Sequence, residues 1–231
     1  MGHKVPPLAN RLGYTQTWIS RWYSKRQNFG ALLNEDDKIR KHLKKNLANA
    51  AVARVEIERT ASKIRVIMQS ARPGIIIGRR GADIDRLRED LHAMTNREIA
   101  IDIKEVKNPA VDAQLVSENI AFQLERQVSF RRAMKRAVQL ATTAGGLGIK
   151  VRCAGRLGGA EMSRVESYKE GKIPLGTFRA NIDFGFAEAK TTYGRIGVKC
   201  WIYKGDSILP KETHQAPGVH PAPTVQPTGA S

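Results

Sequence analysis

The stretch GIIIGRRGADIDRLREDL, residues 74–91, decides the fold of this chain. A short apolar run ends at Gly78, two arginines follow, and Gly81 precedes a new amphipathic pattern. Glycines on both sides of the arginines let a nucleic-acid strand approach the backbone without interference from Cβ atoms. A helix that begins directly afterwards directs its free N–H groups and positive dipole end toward the same place. The stretch therefore predicts a glycine loop that grips the phosphates of a nucleic acid.

The segments around this loop identify its type. A helical pattern covers 29–47, with three acidic residues expected in its first turns, and two alternating strand patterns follow, joined by a turn near 61–62. A helix after the loop and the strand EIAIDIKEV complete the order helix, strand, strand, short apolar helix, GxxG, helix, strand. This order is that of a type II KH domain, whose loop clamps about four nucleotides of single strand. A bare GxxG is a weak signal, so the order carries the prediction.

We therefore predict an α/β (α+β) chain that opens with a type II KH domain over 39–107, built as a three-stranded sheet with helices. Residues 1–38 form a basic N-terminal extension and the start of the first helix. The candidate RNA-binding residues of the loop are Arg72, Gly78, Arg79, Arg80 and Gly81. A P-loop is excluded because the chain contains no GxxxxGK[ST] string.

Pro109 interrupts the pattern and marks a boundary, so a second α+β domain is predicted over 108–206. Two helices are expected near 112–127 and 129–142, followed by a strand at GIKVRCAG. RLGGAEMSRVESYKEG is interpreted as a loop and a short helix, and the last two strands as joined at Tyr193–Gly194. Residues 207–231 are rich in proline and lack aromatic residues, which predicts a disordered tail.

The charge of the chain narrows the class of partner. Lysine and arginine number 39 against 22 acidic residues, which gives a net charge of 39 − 22 = +17. Such an excess indicates an anionic partner, with nucleic acid ahead of an anionic membrane surface. No uncharged apolar window is long enough to span a bilayer, so no membrane partner is expected.

The helix near 129–142 is the second candidate site. Its predicted polar face carries four cations and no acid: Arg131, Arg132, Lys135 and Arg136. An array of cations at one-turn spacing suits successive phosphates. The alternative is an ordinary solvated face, but such faces usually mix charges of both signs. The apolar face is rich in alanine, which favours packing on a sheet over insertion into a membrane surface.

The first 28 residues interleave cations with tryptophan and tyrosine. Cations beside flat rings suit RNA phosphates and bases. The alternative is that these rings pack on the domain that follows. No histidine pairs with a plausible nucleophile and no metal-ligand spacing occurs, so no enzyme activity, metal or cofactor is expected. The two cysteines, Cys153 and Cys200, are expected to be reduced core thiols.

Several longer motifs point to one family: MGHKV, SRWY, ARPGIIIGRRGADIDRLR, EVKNPAVDAQLVSENIAFQLERQVSFRRAMKRA, GRLGGAEMSR and ANIDFGFAEAKTTYGRIGVKCWIYKG. Together they closely resemble the bacterial type of the small-subunit ribosomal protein S-three family, from Met1 to about Gly205. The chain departs from the family pattern at PPLAN, at Gly176 and at Asn181, which concerns local contacts.

The resemblance implies a cytoplasmic protein in the head of the small ribosomal subunit that binds 16S-type rRNA. It implies ribosomal proteins S-ten and S-fourteen as neighbours, and two helices packed on a sheet in the second domain. It also implies that Arg131, Arg132 and Lys135, with Arg136 beside them, face mRNA at the entry channel and help to unwind it. Further rRNA-contact candidates are Lys4, Arg11, Arg21, Trp22, Arg156, Arg164 and Lys199. A free KH-type regulator of single-stranded RNA is the alternative, and an enzyme acting on nucleic acid is a weaker one.

Overall fold

The computed structural model describes residues 4–60 and 63–206. The predicted turn at 61–62, the first residues of the MGHKV motif and the predicted disordered tail lie outside these ranges. The described residues form two four-stranded sheets, each covered by helices on one face. The predicted α/β class with two sheet-based units is confirmed.

The first sheet is the KH sheet. Its strand order is β1-β2-β3-β4, with β2 antiparallel to β3, and with β1 parallel to β2 and β3 parallel to β4. The element bounds are β1 Ser20–Arg21, α1 Arg26–Asn46, β2 Val52–Arg59, β3 Lys63–Ser70, α2 Pro73–Ile77, α3 Ala82–Thr95 and β4 Glu98–Glu105. From α1 onward the order is the one predicted for a type II KH domain. The prediction of three strands missed β1, which the N-terminal extension contributes.

The core of this unit forms because apolar residues alternate along each strand. Val55, Ile57, Val66 and Met68 point to one face of the sheet and pack against Leu43 and Leu91 of the helices, among other buried residues. Two or more buried aliphatic side chains in each of α1, α3, β2, β3 and β4, with Ile76 from α2, supply the hydrophobic free energy that holds helices to sheet.

The acidic residues 35–37 were expected in the first turns of a helix, and that prediction is wrong. Helix α1 begins at Arg26, so these residues lie in its third and fourth turns. Asp36 is buried there and accepts hydrogen bonds from Ser20, Trp22 and Arg59. Its role is to neutralise a buried arginine, and the helix dipole plays no part.

The second sheet has the order β6-β5-β8-β7 and is antiparallel throughout. The element bounds are α4 Ala113–Glu125, α5 Phe130–Thr143, β5 Gly148–Gly155, β6 Arg164–Gly171, β7 Ala180–Thr191 and β8 Gly194–Asp206. Within 156–171, where a loop and a short helix were predicted, the structure has one 3-10 turn at Leu157–Gly159, and the prediction missed the edge strand β6 that forms most of the rest. An edge strand with mainly polar residues shows weak alternation, and only Tyr168 packs against the core.

Helices α4 and α5 pack on one face of this sheet, as the resemblance implied. Helix α4 lies unusually close to β7 at Gly185, where a Cβ atom would overlap the backbone of Ala113 and Gln114. Both cysteines are free and fully buried in this core, which confirms their prediction as core thiols. Burial raises the pKa of the Cys153 thiol to about 12.

Candidate nucleic-acid interface

The glycine loop joins α2 to α3 in a single tight turn. Gly78 has φ +70° and Gly81 has φ +84°, values that favour glycine. Arg80 between them also has a positive φ of 55°. A Cβ atom at Gly78 would overlap the carboxylate of Asp83 in the first turn of α3. The two glycines are therefore required by the backbone, independently of any ligand.

This turn exposes both arginines at the N-terminus of α3. Arg79 and Arg80 are solvent-exposed, and neither has a carboxylate within 4.0 Å among the described residues. Arg72 is also exposed, just before α2, where its backbone N–H donates to Ser70 Oγ at 3.0 Å. The loop thus brings three free cations and a helix N-terminus to one edge of the KH unit.

Helix α5 presents the second cationic surface. Ala133, Met134, Val138 and Ala141 are buried against the second sheet. The opposite side exposes all four predicted cations, which are Arg131, Arg132, Lys135 and Arg136. None of them forms an ion pair within residues 4–60 and 63–206. Lys135 Nζ lies 5.9 Å from the centre of the Tyr168 ring on β6. We name these four residues the α5 cation face.

The N-terminal extension contains the main correction to the predicted contacts. Arg11 is fully buried, and its guanidinium donates to the carbonyl oxygens of Ala180 at 2.7 Å, Pro7 at 2.9 Å and Thr177 at 2.8 Å. A fourth, longer hydrogen bond of 3.3 Å reaches Leu175. Burial therefore corrects the prediction that Arg11 binds rRNA. Arg11 fastens the extension to the start of β7 and to the segment before it.

Two further predicted contacts are also used inside the protein. Trp22 is half-buried, donates its indole N–H to Asp36 at 2.8 Å and packs against Phe29. Arg21 forms ion pairs with Glu56 and Glu58 on β2. The alternative that the extension packs its rings on the next unit is confirmed for Trp22, whereas Trp18 and Tyr23 stay exposed.

Of the remaining predicted rRNA contacts, one bonds to the protein's own backbone and three are exposed. Arg156 is half-buried and donates to the carbonyl oxygens of Ala160 at 2.9 Å and Tyr193 at 3.3 Å, so it closes the loop after β5. Arg164, Lys4 and Lys199 are exposed and form no ion pair within the described ranges. These three stay available to a phosphate.

Two family models match the chain. One is described as KH domain and matches residues 38–111, and the other, described as ribosomal protein S3, C-terminal domain, matches 120–202. Proteins named small ribosomal subunit protein uS3 are similar over nearly the whole length. The one from Desulfovibrio desulfuricans is 56% identical over 93% of this chain and 100% of its own. The one from Magnetococcus marinus is 58% identical over 91% of this chain and 100% of its own.

The chain belongs to the small ribosomal subunit protein uS3 family. As a uS3 protein it is an RNA-binding constituent of the small ribosomal subunit and acts in translation. The family is structural rather than enzymatic. Within residues 4–60 and 63–206 of this uS3 chain, no three histidine, cysteine or acidic side chains cluster to hold a metal, and no helix could cross a membrane.

Sequence reasoning missed a third basic surface of this uS3 chain. Lys150 and Arg152 alternate with the buried residues of β5, so they lie on the sheet face opposite α4 and α5. Cross-strand pairing places them beside Trp201 and Lys199 of β8. The alternation within KVRC was visible in the sequence, but the pairing of β5 with β8 was not. The sequence therefore gave no indication that these cations meet.

Proposed function

We propose that this uS3-family chain binds ribosomal RNA in the head of the small subunit and contacts messenger RNA through the α5 cation face. The observation that carries the messenger contact is the lack of carboxylate partners for this face among the described residues. Cations held by a rigid, packed helix and left unneutralised by the protein are suited to an external polyanion. Ribosomal proteins S-ten and S-fourteen are the proposed protein neighbours.

The proposed action on messenger RNA is passive. Arginine and lysine hold phosphates without reading bases, so the contact is independent of sequence, as a channel for every messenger requires. The sequence contains no P-loop, so the energy for movement comes from translocation by the ribosome. Arg131, Arg132 and Lys135 favour the separated strands because single strands can follow the face of the helix.

Replacing Arg131, Arg132 and Lys135 by alanine tests this contact. We expect normal incorporation into small subunits and slower passage through a stable messenger hairpin, measured in reconstituted translation. A matched control removes three cations that are already paired with carboxylates: Lys41, Lys63 and Arg65, which pair with Asp37, Glu98 and Asp102. This set is named the paired-cation control. Equal hairpin transit in both triple variants would contradict the messenger contact.

The KH loop is proposed to grip rRNA or messenger through Arg79 and Arg80. Replacing both by aspartate reverses the charge where the backbone conformation is already set by the glycines. We expect weaker binding of the subunit to messenger or defective entry of the protein into subunits. A variant that assembles and binds messenger normally would show that the loop is structural in this family member.

Sedimentation of a salt-washed native lysate separates the ribosomal role from the free-regulator alternative. We expect the chain to migrate with small subunits in a ratio of about one to one, because its phosphate contacts are numerous. A predominantly free pool at the top of the gradient would overturn the proposal in favour of the regulator.

The proposed limits of the N-terminal extension, the KH unit and the second unit are 1–38, 39–107 and 108–206.

A further inference from the structure

The second sheet has a face that no helix covers. Cross-strand pairs align its side chains in two neighbouring rows: Lys150, Trp201 and Phe184 in the first, and Arg152, Lys199 and Phe186 in the second. The N-terminal extension, held by Arg11, forms a wall along this face. The resulting groove of about 1080 Å³ is lined by Lys4, Lys150, Arg152, Phe184, Lys199 and Trp201 among others. We name it the sheet groove.

The cations of the sheet groove oppose one another on neighbouring strands. Lys150 lies directly opposite Lys169 of β6, and Arg152 lies directly opposite Lys199 of β8. Like charges in such positions destabilise a sheet. None of these four side chains has a carboxylate within 4.0 Å in the described ranges. The acids at this face are already paired: Glu188 of β7 pairs with Arg195, and Asp206 at the end of β8 accepts a hydrogen bond from Tyr203 and pairs with Arg179.

The KH sheet provides an internal comparison. Its uncovered face also carries cations, and two of them on β3 are matched by acids on the neighbouring strand β4, whereas Lys104 of β4 forms no ion pair among the described residues. Lys63 pairs with Glu98 at 2.8 Å, and Arg65 donates to Asp102 at 2.6 Å. The same chain therefore neutralises most cations on one open sheet face and leaves four neighbouring cations on the other without an acidic partner among the described residues. An anionic ligand on the second face accounts for this difference.

Aromatic rings within the groove narrow the class of anion. Phe184 and Trp201 are half-buried with ring centres 5.5 Å apart, and Phe186 is exposed at the edge. Cations interleaved with rings on an open sheet match the surfaces that bind unpaired strands, where phosphates contact cations and bases stack on rings. A double helix keeps its bases stacked on one another and offers only phosphates. A free phosphate ion would make no use of the rings.

We propose that the sheet groove binds an unpaired segment of RNA. Lys150, Arg152 and Lys199, with Lys4 on the extension wall, hold its phosphates, and Trp201 with Phe184 supports its bases. The inference rests on the proposed function, because it assigns a specific surface and an unpaired strand to an RNA-binding subunit protein. It is separate from the glycine loop and from the α5 cation face.

The test measures binding of a fluorescein-labelled, unstructured RNA of roughly 12 nucleotides to the full chain by anisotropy at several salt concentrations. The groove variant replaces Lys150, Arg152 and Lys199 by alanine, and the paired-cation control removes the same formal charge. We expect the groove variant to bind at least about tenfold more weakly at about 0.15 M salt. The slope of log K against log salt should fall by about 2, since each lost phosphate contributes about 0.7. The control should change affinity by less than about twofold, because its cations are screened by their partners.

A second variant, Trp201→Leu, separates stacking from charge. We expect about tenfold weaker binding with an unchanged salt slope, because stacking releases no counterions. The groove variant should melt no lower than the unmodified chain, since it removes like-charge repulsion. This measurement shows that any lost binding does not come from unfolding.

The outcomes distinguish this inference from the proposed function. Equal RNA affinity of the groove variant and the paired-cation control would overturn the groove while leaving the ribosomal role intact. A labelled aromatic peptide rich in glutamate that binds the groove more tightly than RNA would also overturn it, in favour of a protein partner. If the unmodified chain neither bound the RNA nor sedimented with subunits, the proposed function would fail with it. Weaker RNA binding by the groove variant and by Trp201→Leu, with unchanged binding by the paired-cation control, supports the proposal.

Discussion

Replacing Asp36 by alanine tests the contact that joins the N-terminal extension to the KH unit. The Asp36 side chain is fully buried, and that of Arg59 is 3% exposed. Asp36 accepts hydrogen bonds at 2.8 Å from Ser20 Oγ, from Trp22 Nε1 and from Arg59 Nε. The substitution leaves a buried arginine without its main partner and frees two donors of the extension.

Breaking a buried ion pair on one side costs about 3–5 kcal/mol. Glu35 still accepts a hydrogen bond from Arg59 at 2.6 Å, so we expect the lower end, about 3 kcal/mol. For a chain of this size, that corresponds to a fall in melting temperature of about 6–12 °C. The change also weakens β1, so the Ile57 amide, which donates to the Ile19 carbonyl at 2.9 Å, should exchange its hydrogen faster.

The assay is thermal unfolding followed by circular dichroism, together with hydrogen exchange resolved at β2. The control is Asp37→Ala, which removes the next carboxylate along α1. Asp37 pairs with Lys41 in solvent, and its side chain is 56% exposed. Its loss should therefore cost less than about 1 kcal/mol. Equal melting shifts in the two variants, or unchanged exchange at Ile57 in Asp36→Ala, would refute the reasoning.

Three further predictions concern the second unit. Burial raises the pKa of Asp112, and the negative charge of Asp183 raises it further. The protonated Asp112 therefore stabilises the fold below its unfolded pKa, and this stabilisation is lost as the pH rises through the folded pKa. Asp112→Asn should flatten this pH dependence of the free energy of unfolding. Asp112→Ala, which also removes the N-cap of α4, should lower the free energy of unfolding by about 1 kcal/mol more. A steeper pH profile in the asparagine variant would contradict this reasoning. Gly185→Ala should lower stability by about 1–3 kcal/mol or more because its Cβ meets backbone atoms of α4, whereas Gly176→Ala, at an open position, should change the melting temperature little. Neither Cys153 nor Cys200 should react with iodoacetamide at pH 8 before unfolding, since both are buried and a thiol with a pKa of about 12 is ionised in roughly one molecule in ten thousand; rapid labelling of the folded chain would show that the core opens.

The sequence predicted what local patterning determines. The glycine loop followed from two glycines before an amphipathic run, and the helices of both units followed from their apolar spacing. The strand β6 was missed because its polar edge position leaves little alternation to detect. The start of α1 was placed too late because its first turns are exposed and carry no buried residue before Asp36.

The functional contacts were harder to predict because charge alone does not reveal burial. Arg11 and Lys199 are equally basic in the sequence, yet one is enclosed by carbonyl groups contributed from residues 175–180 and the other faces solvent. Arg152 and Lys199 meet because β5 pairs with β8, and such long-range pairing is not encoded in any short window. The identity of a cationic surface therefore depends on the topology that brings its members together.

The bond between Arg11 and Ala180 also affects how the chain matures during its own synthesis. The two residues are 169 positions apart, so Arg11 leaves the exit tunnel long before the strand that holds it. The KH unit has all its strands well before that point and folds first, as units made early generally do. Until residues 175–180 emerge, the Arg11 guanidinium lacks most of its carbonyl partners. The wall of the sheet groove is thus completed only after β7 has been made, so this surface matures later than the KH unit.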